Sequence, residues 1–127
     1  MTEELVTLET AKLLKEKGFK EDVSVFYELV CKEGSYEYEL FESYDAQNYN
    51  ASVYSFSAPT QYIAQKWLRE TKNLHIEITY IYRDYWSYDI LTIPNHGSIG
   101  LSGRPLVHYK SYEEVLEAGI QEALKLI

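Results

Sequence analysis

The stretch from Val23 to Phe41 reads VSVFYELVCKEGSYEYELF, and its period decides the fold. Val23, Val25, Tyr27, Leu29 and Cys31 share one parity, and Tyr36, Tyr38 and Leu40 resume the alternation beyond Glu33 and Gly34, which predicts an antiparallel hairpin. Glu28, Glu37 and Glu39 hold the opposite parity, so that face is expected to meet water. Phe26, Val30 and Phe41 intrude on it and require a cover. Two covers are open: a second copy of the chain in a symmetric dimer, or the segment Asp45 to Ser57 of the same chain. That segment is polar and rich in Asn, Ser and Tyr, and reads as a loop with a short extended piece at Val53 to Phe56.

The same period recurs further on. Ile76, Ile78, Tyr80 and Tyr82 alternate with Glu77, Thr79 and Arg83, and Trp86, Tyr88, Ile90 and Thr92 follow a tight turn at Arg83 to Tyr85, giving a second hairpin. Three helical patterns punctuate the hairpins. Leu8, Ala11 and Leu14 recur at helical spacing after Thr7, an N-cap type, and before Gly18 and Phe19, which suit a C-terminal stop. Ile63, Ala64, Trp67 and Leu68 mark a helix beginning near Pro59 and ended by Asn73. Ser111 and Glu114 form a capping box ahead of Val115, Leu116, Ile120, Ala123, Leu124 and Ile127. Pro94 to Pro105, rich in Gly and Pro, reads as a flexible connection. The expected fold class is therefore α+β in the order α-β-β-α-β-β-α. Its simplest burial is one four-stranded antiparallel sheet with helices packed on one face.

At 127 residues the chain fits one domain spanning 1–127, and 46% apolar with 25% charged residues is the composition of a folded protein. Twenty acidic against twelve basic side chains give a net charge of -8, which opposes phosphate contacts, so no nucleic-acid partner is expected. No stretch approaches the ~20 apolar residues that span a bilayer, and Met1 to Thr7 lacks a secretory pattern. No membrane association and a cytoplasmic location are expected. Cys31 is alone, which excludes an internal disulfide, and it reads as a small buried apolar residue.

Motifs that carry chemistry are sparse. Gly97, Gly100 and Gly103 are spaced three apart, but Arg104 and Pro105 follow where a phosphate loop needs Lys and then Ser or Thr. His75, His96 and His108 have no metal-ligand spacing, His96 reading as a turn residue and His75 as a strand start, so neither metal nor other cofactor is expected. Asp84 and Asp89 lie among Tyr85, Trp86 and Tyr88, a combination found in sugar-processing clefts, although turns collect Asp for backbone reasons. Gln61, Gln65, Lys66 and Arg69 would project from the second helix as a recognition helix does, yet Trp67 and Leu68 point to packing. Asn50, Ala51 and Ser52 form a glycosylation sequon, a pattern common by chance.

The blocks Ala58 to Gln61, Ala64 to Glu70 and Asn73 to Ile76 resemble a small family of uncharacterised proteins from Bacteroides-type gut bacteria and their phages, and Thr10 to Phe19 and Tyr112 to Leu124 resemble its ends. The resemblance implies a cytoplasmic accessory protein of a phage or mobile element, and it brings no catalytic residue with it.

Thirteen tyrosines, two tryptophans and four phenylalanines are more ring surface than one small sheet and three helices comfortably bury, which favours contact with a protein partner or with a second copy. The reading that fits best is a non-enzymatic interaction module, with Phe26, Val30, Phe41, Glu28, Glu37 and Glu39 as its interface. The alternative is an antagonist of a basic protein, either an immunity protein or a nucleic-acid mimic, that presents the same glutamates and Glu42. A small hydrolase using Asp84 or Asp89 near Trp86 is the third.

Overall fold

In the computed structural model, which describes residues 4–83, 85–99 and 109–127, the Thr7 side chain accepts a hydrogen bond from Thr10 N at 3.3 Å and starts α1 (Leu8–Glu16). The helix stops as expected. Gly18, at φ 95°, lets its own N–H reach Lys15 O and that of Phe19 reach Leu14 O at 2.9 Å, and Phe19 is buried with Ala11 and Leu14. Two strands follow, β1 (Val23–Lys32) and β2 (Ser35–Gln47). Glu33 and Gly34 join them at φ 48° and 83°, the pair of positive values that a two-residue hairpin turn requires. A single 3-10 turn at Tyr49–Ala51 and a short strand β3 (Ser55–Ser57) complete this part.

The next helix, α2 (Gln61–Lys72), begins two residues after Pro59, whose carbonyl instead accepts Val6 N at 3.0 Å. Asn73 ends it at φ 56°. The second hairpin comprises β4 (Leu74–Tyr82) and β5 (Tyr85–Thr92), after which come β6 (Ser98–Ile99) and α3 (Tyr112–Lys125), capped by Ser111 Oγ accepting from Glu114 N at 3.1 Å. Helix α3 buries Val115, Leu116, Ile120, Ala123 and Leu124, while Ile127 lies past its end and is exposed. Gly119 is what lets α3 sit close to the sheet: a Cβ there would lie 2.7 Å from Ile76 Cγ2.

The described residues make an α+β protein with three α-helices and two three-stranded antiparallel sheets, ordered β2-β1-β3 and β4-β5-β6. The chain divides into two compact units, Leu5–Thr60 and Gln61–Ile127, the latter joined by the N-terminal residues up to Glu4. The single four-stranded sheet is thus corrected. Each hairpin recruits a third strand from its own downstream segment: β3 pairs with Phe26–Glu28 of β1, and β6 with Ile90 and Leu91 of β5. Once a hairpin has formed, the short connections from Gln47 to Ser55 and from Thr92 to Ser98 close a smaller loop than pairing with the distant hairpin does. Local pairing also explains why 45–57 and 94–105, read as connections, each contain a strand.

Candidate interaction surface

The pleat of β1 and β2 sorts their side chains onto two faces. One carries Phe26 opposite Phe41, Glu28 opposite Glu39 and Val30 opposite Glu37, with Ser57 and Ser55 of β3 completing it. Glu28 and Glu39 are like charges in direct register, an arrangement that weakens a strand pair unless a cation intervenes. Lys32 intervenes by donating a hydrogen bond to Glu39 Oε1. That bond, and then the charges of Glu39 and Glu37, raise the Lys32 pKa. Between Val23 and Gln47 the chain has this one basic residue and six carboxylates, Glu28, Glu33, Glu37, Glu39, Glu42 and Asp45, so the hairpin holds five of the chain's eight net negative charges.

Phe26 is covered from within the chain. Tyr49 stacks on it at 3.9 Å between ring centroids and 15° between planes, and Phe41 lies against it at 5.8 Å. Asn50 fixes this cover, donating through Nδ2 to Phe19 O at 2.9 Å and accepting from Ser57 N at 2.8 Å, while Ser55 Oγ donates to Tyr49 O at 2.6 Å. The sequon asparagine is therefore a structural tie. Sequence reasoning missed Tyr49, since nothing in a polar aperiodic segment marks which ring turns inward.

The other face meets α1. Tyr27 Oη donates to Val6 O, Tyr38 tilts against Phe56, and Lys12 and Lys15 lie over these rings at 5.1 Å from Tyr38 and 4.8 Å from Phe56. Lys15 Nζ also donates to Ser52 O and Ser55 O, and burial lowers its pKa.

Neither cover reaches the end of the hairpin. Strand β3 stops opposite Glu28, so Val30, Glu37 and the turn form a two-stranded arm. Cys31 is exposed on this arm, which corrects its expected burial, and Tyr36 and Leu40, on the parity expected to face a core, are 71% and 48% exposed. None of the residues of β1 or β2 is buried. Of the six residues expected at an interface, Phe26 is thus tied down by Tyr49 while Glu37 is exposed on the arm.

Elsewhere the sequence candidates disperse. Asp89 stands opposite Glu77, on the parity of β5 that excludes Trp86, so the pleat sends this carboxylate and the ring to opposite faces. Asp84, Gly100, Gly103, Arg104, Pro105 and His108 lie outside the described residues. Gly97 donates its N–H to Thr92 Oγ1 at 3.0 Å and is a turn element, as is His96 at φ 57°. Gln61 donates to Glu113 O and Glu117 Oε1, and Gln65 to Ile76 O, so two of the four polar residues of the recognition-helix pattern are spent on packing. Among the described residues no group of three or more His, Cys, Asp or Glu is placed to hold a metal, and no helix is long and apolar enough to cross a membrane.

The second hairpin exposes rings that satisfy one another. Tyr80 meets Trp86 edge-on at 5.0 Å, Trp86 meets Tyr112 at 5.9 Å, and Tyr82 stacks on Tyr85 at 6.1 Å. No protein-family model, curated protein or solved structure matches the chain.

Proposed function

We propose that the protein is a non-enzymatic interaction module, serving a phage or mobile element as an accessory, whose contact surface is the β1–β2 hairpin and whose partner is a basic protein. One observation carries the reading: the hairpin built from the two longest described strands holds six carboxylates and one lysine, and those strands bury no side chain. Strands that contribute so little to a core are explained by what they present. Such a field speeds encounter with an oppositely charged partner and rejects acidic ones. An antagonist, whether immunity protein or nucleic-acid mimic, is the form this takes if the partner's basic surface is itself a nucleic-acid site.

Affinity capture from the native host, with the wild type beside a Glu37→Lys, Glu42→Lys variant, tests it. The wild type is expected to retain basic proteins that raised salt releases, and the variant to lose them. Equal retention by both overturns the proposal.

A further inference from the structure

The outer edge of β2 has no strand beside it among the described residues, because β2 is the terminal strand of its sheet. An edge strand presents a row of backbone donors and acceptors ready to pair with another chain, and proteins blunt such edges with proline, lysine or a bulge. From Ser35 to Glu42, β2 has none of these: its irregularity lies beyond, where the register passes from Val25 opposite Glu42 to Val23 opposite Gln47. What guards the edge is charge. Glu37 and Glu39 line one face of it, with Tyr36, Tyr38, Leu40 and Glu42 on the other.

We propose that this edge binds an extended basic segment of the partner by strand addition, the bound strand alternating basic residues over Glu37 and Glu39 with apolar residues over Tyr36 and Leu40. This rests on the basic-partner reading and adds its mode. Backbone pairing supplies affinity and alternate side chains supply selection. Charge decides the occupant. A second copy would bring its own glutamates onto this edge, whereas a lysine-bearing strand is attracted, so the same residues that repel self-pairing select a basic guest.

Four synthetic octapeptides test this on the unmodified protein by fluorescence anisotropy. One alternates Lys and Val, one holds the same residues in two blocks, and two are the alternating peptide N-methylated on every second amide, one in each phase. In a strand both backbone groups of every second residue face the same neighbour, so methylation of one set removes the pairing and methylation of the other spares it. The expected result is binding of the alternating peptide, weaker binding of the block isomer, and loss of ~10-fold or more for one methylated version only. If block and alternating peptides bind alike, or the two methylated versions do, strand addition falls and the basic-partner reading stands. If no lysine peptide binds even at low salt, both fall. A salt-strengthened dimer in sedimentation velocity that the peptide disrupts would make a second copy the occupant and overturn the basic guest.

Discussion

The two hairpins follow the same alternation and reach opposite ends. Leu74, Ile76, Tyr88, Ile90 and Leu91 of β4 and β5 are buried, and no residue of β1 or β2 is. The difference lies in what packs on them. Helix α1, nine residues long, extends about 14 Å at 1.5 Å per residue. The ten residues of β1 extend about 33 Å. One such helix cannot cover that length, and β3 meets only three residues of β1. The second hairpin has two longer helices, and Gly119 brings one of them into contact with Ile76 and Tyr88. Alternation makes strands, but the available helices decide which of them become core.

The largest difference is expected when the same residue type is removed from both hairpins. Leu74, 5% exposed on β4 and on the parity of Ile76, and Leu40, 48% exposed on β2, are each replaced by Ala. Removing a buried leucine costs about 2–5 kcal/mol, whereas surface changes stay within about 0.5 kcal/mol. Urea denaturation should therefore separate the variants clearly. A Leu40→Ala loss as large as that of Leu74→Ala would mean that the first hairpin has a core after all.

Most of the helices and both hairpins were legible because their signals are local: Thr7 and Ser111 as caps, Gly18 and Asn73 as stops, Glu33 and Gly34 as a turn. Sheet membership was not, because β3 and β6 are only three and two residues long and show no period. The candidate surface was legible only in its charges. Its glutamates follow from parity, but parity cannot say that Tyr36 and Leu40 stay exposed, or that Tyr49 turns onto Phe26.

The next effect in size probes that internal cover. Asn50→Ala removes the acceptor for Ser57 N and the donor to Phe19 O, and an orphaned buried polar group costs about 1–3 kcal/mol. Denaturation should show a loss in that range. Tyr49 would also lose its anchor, so the Phe26 face should become accessible, read as increased binding of a hydrophobic dye under native conditions. Unchanged dye binding would show that the stacking holds without Asn50.

A smaller effect is expected at the close approach in the second hairpin. Gly119→Ala gains about 1 kcal/mol of helix propensity but inserts a methyl where Ile76 Cγ2 stands 2.7 Å away and the Tyr88 ring 3.4 Å. Overpacking costs about 1–3 kcal/mol, and both neighbours are buried, so the balance is a net loss. Stabilisation by this substitution would show that α3 can move outward freely, and that tight packing is not what sets the two hairpins apart.

The smallest effect on stability is expected from Lys32→Ala, and it says most about the arm. Lys32 and Glu39 form an ion pair near the hairpin turn, and an exposed pair of this kind contributes little and is screened by salt. Because the folded-state pKa of Lys32 is raised, the contribution is fully present below the ordinary lysine value and disappears as pH climbs through the raised one. At neutral pH the variant should unfold almost with the wild type. Binding should respond differently, because the substitution deletes the arm's one cation and releases Glu39 to a guest lysine. The alternating Lys-Val peptide is therefore expected to bind more tightly to the variant at low salt, and the difference to vanish as salt rises. Weaker binding would assign Lys32 a direct contact with the guest and move the selecting charge away from Glu39.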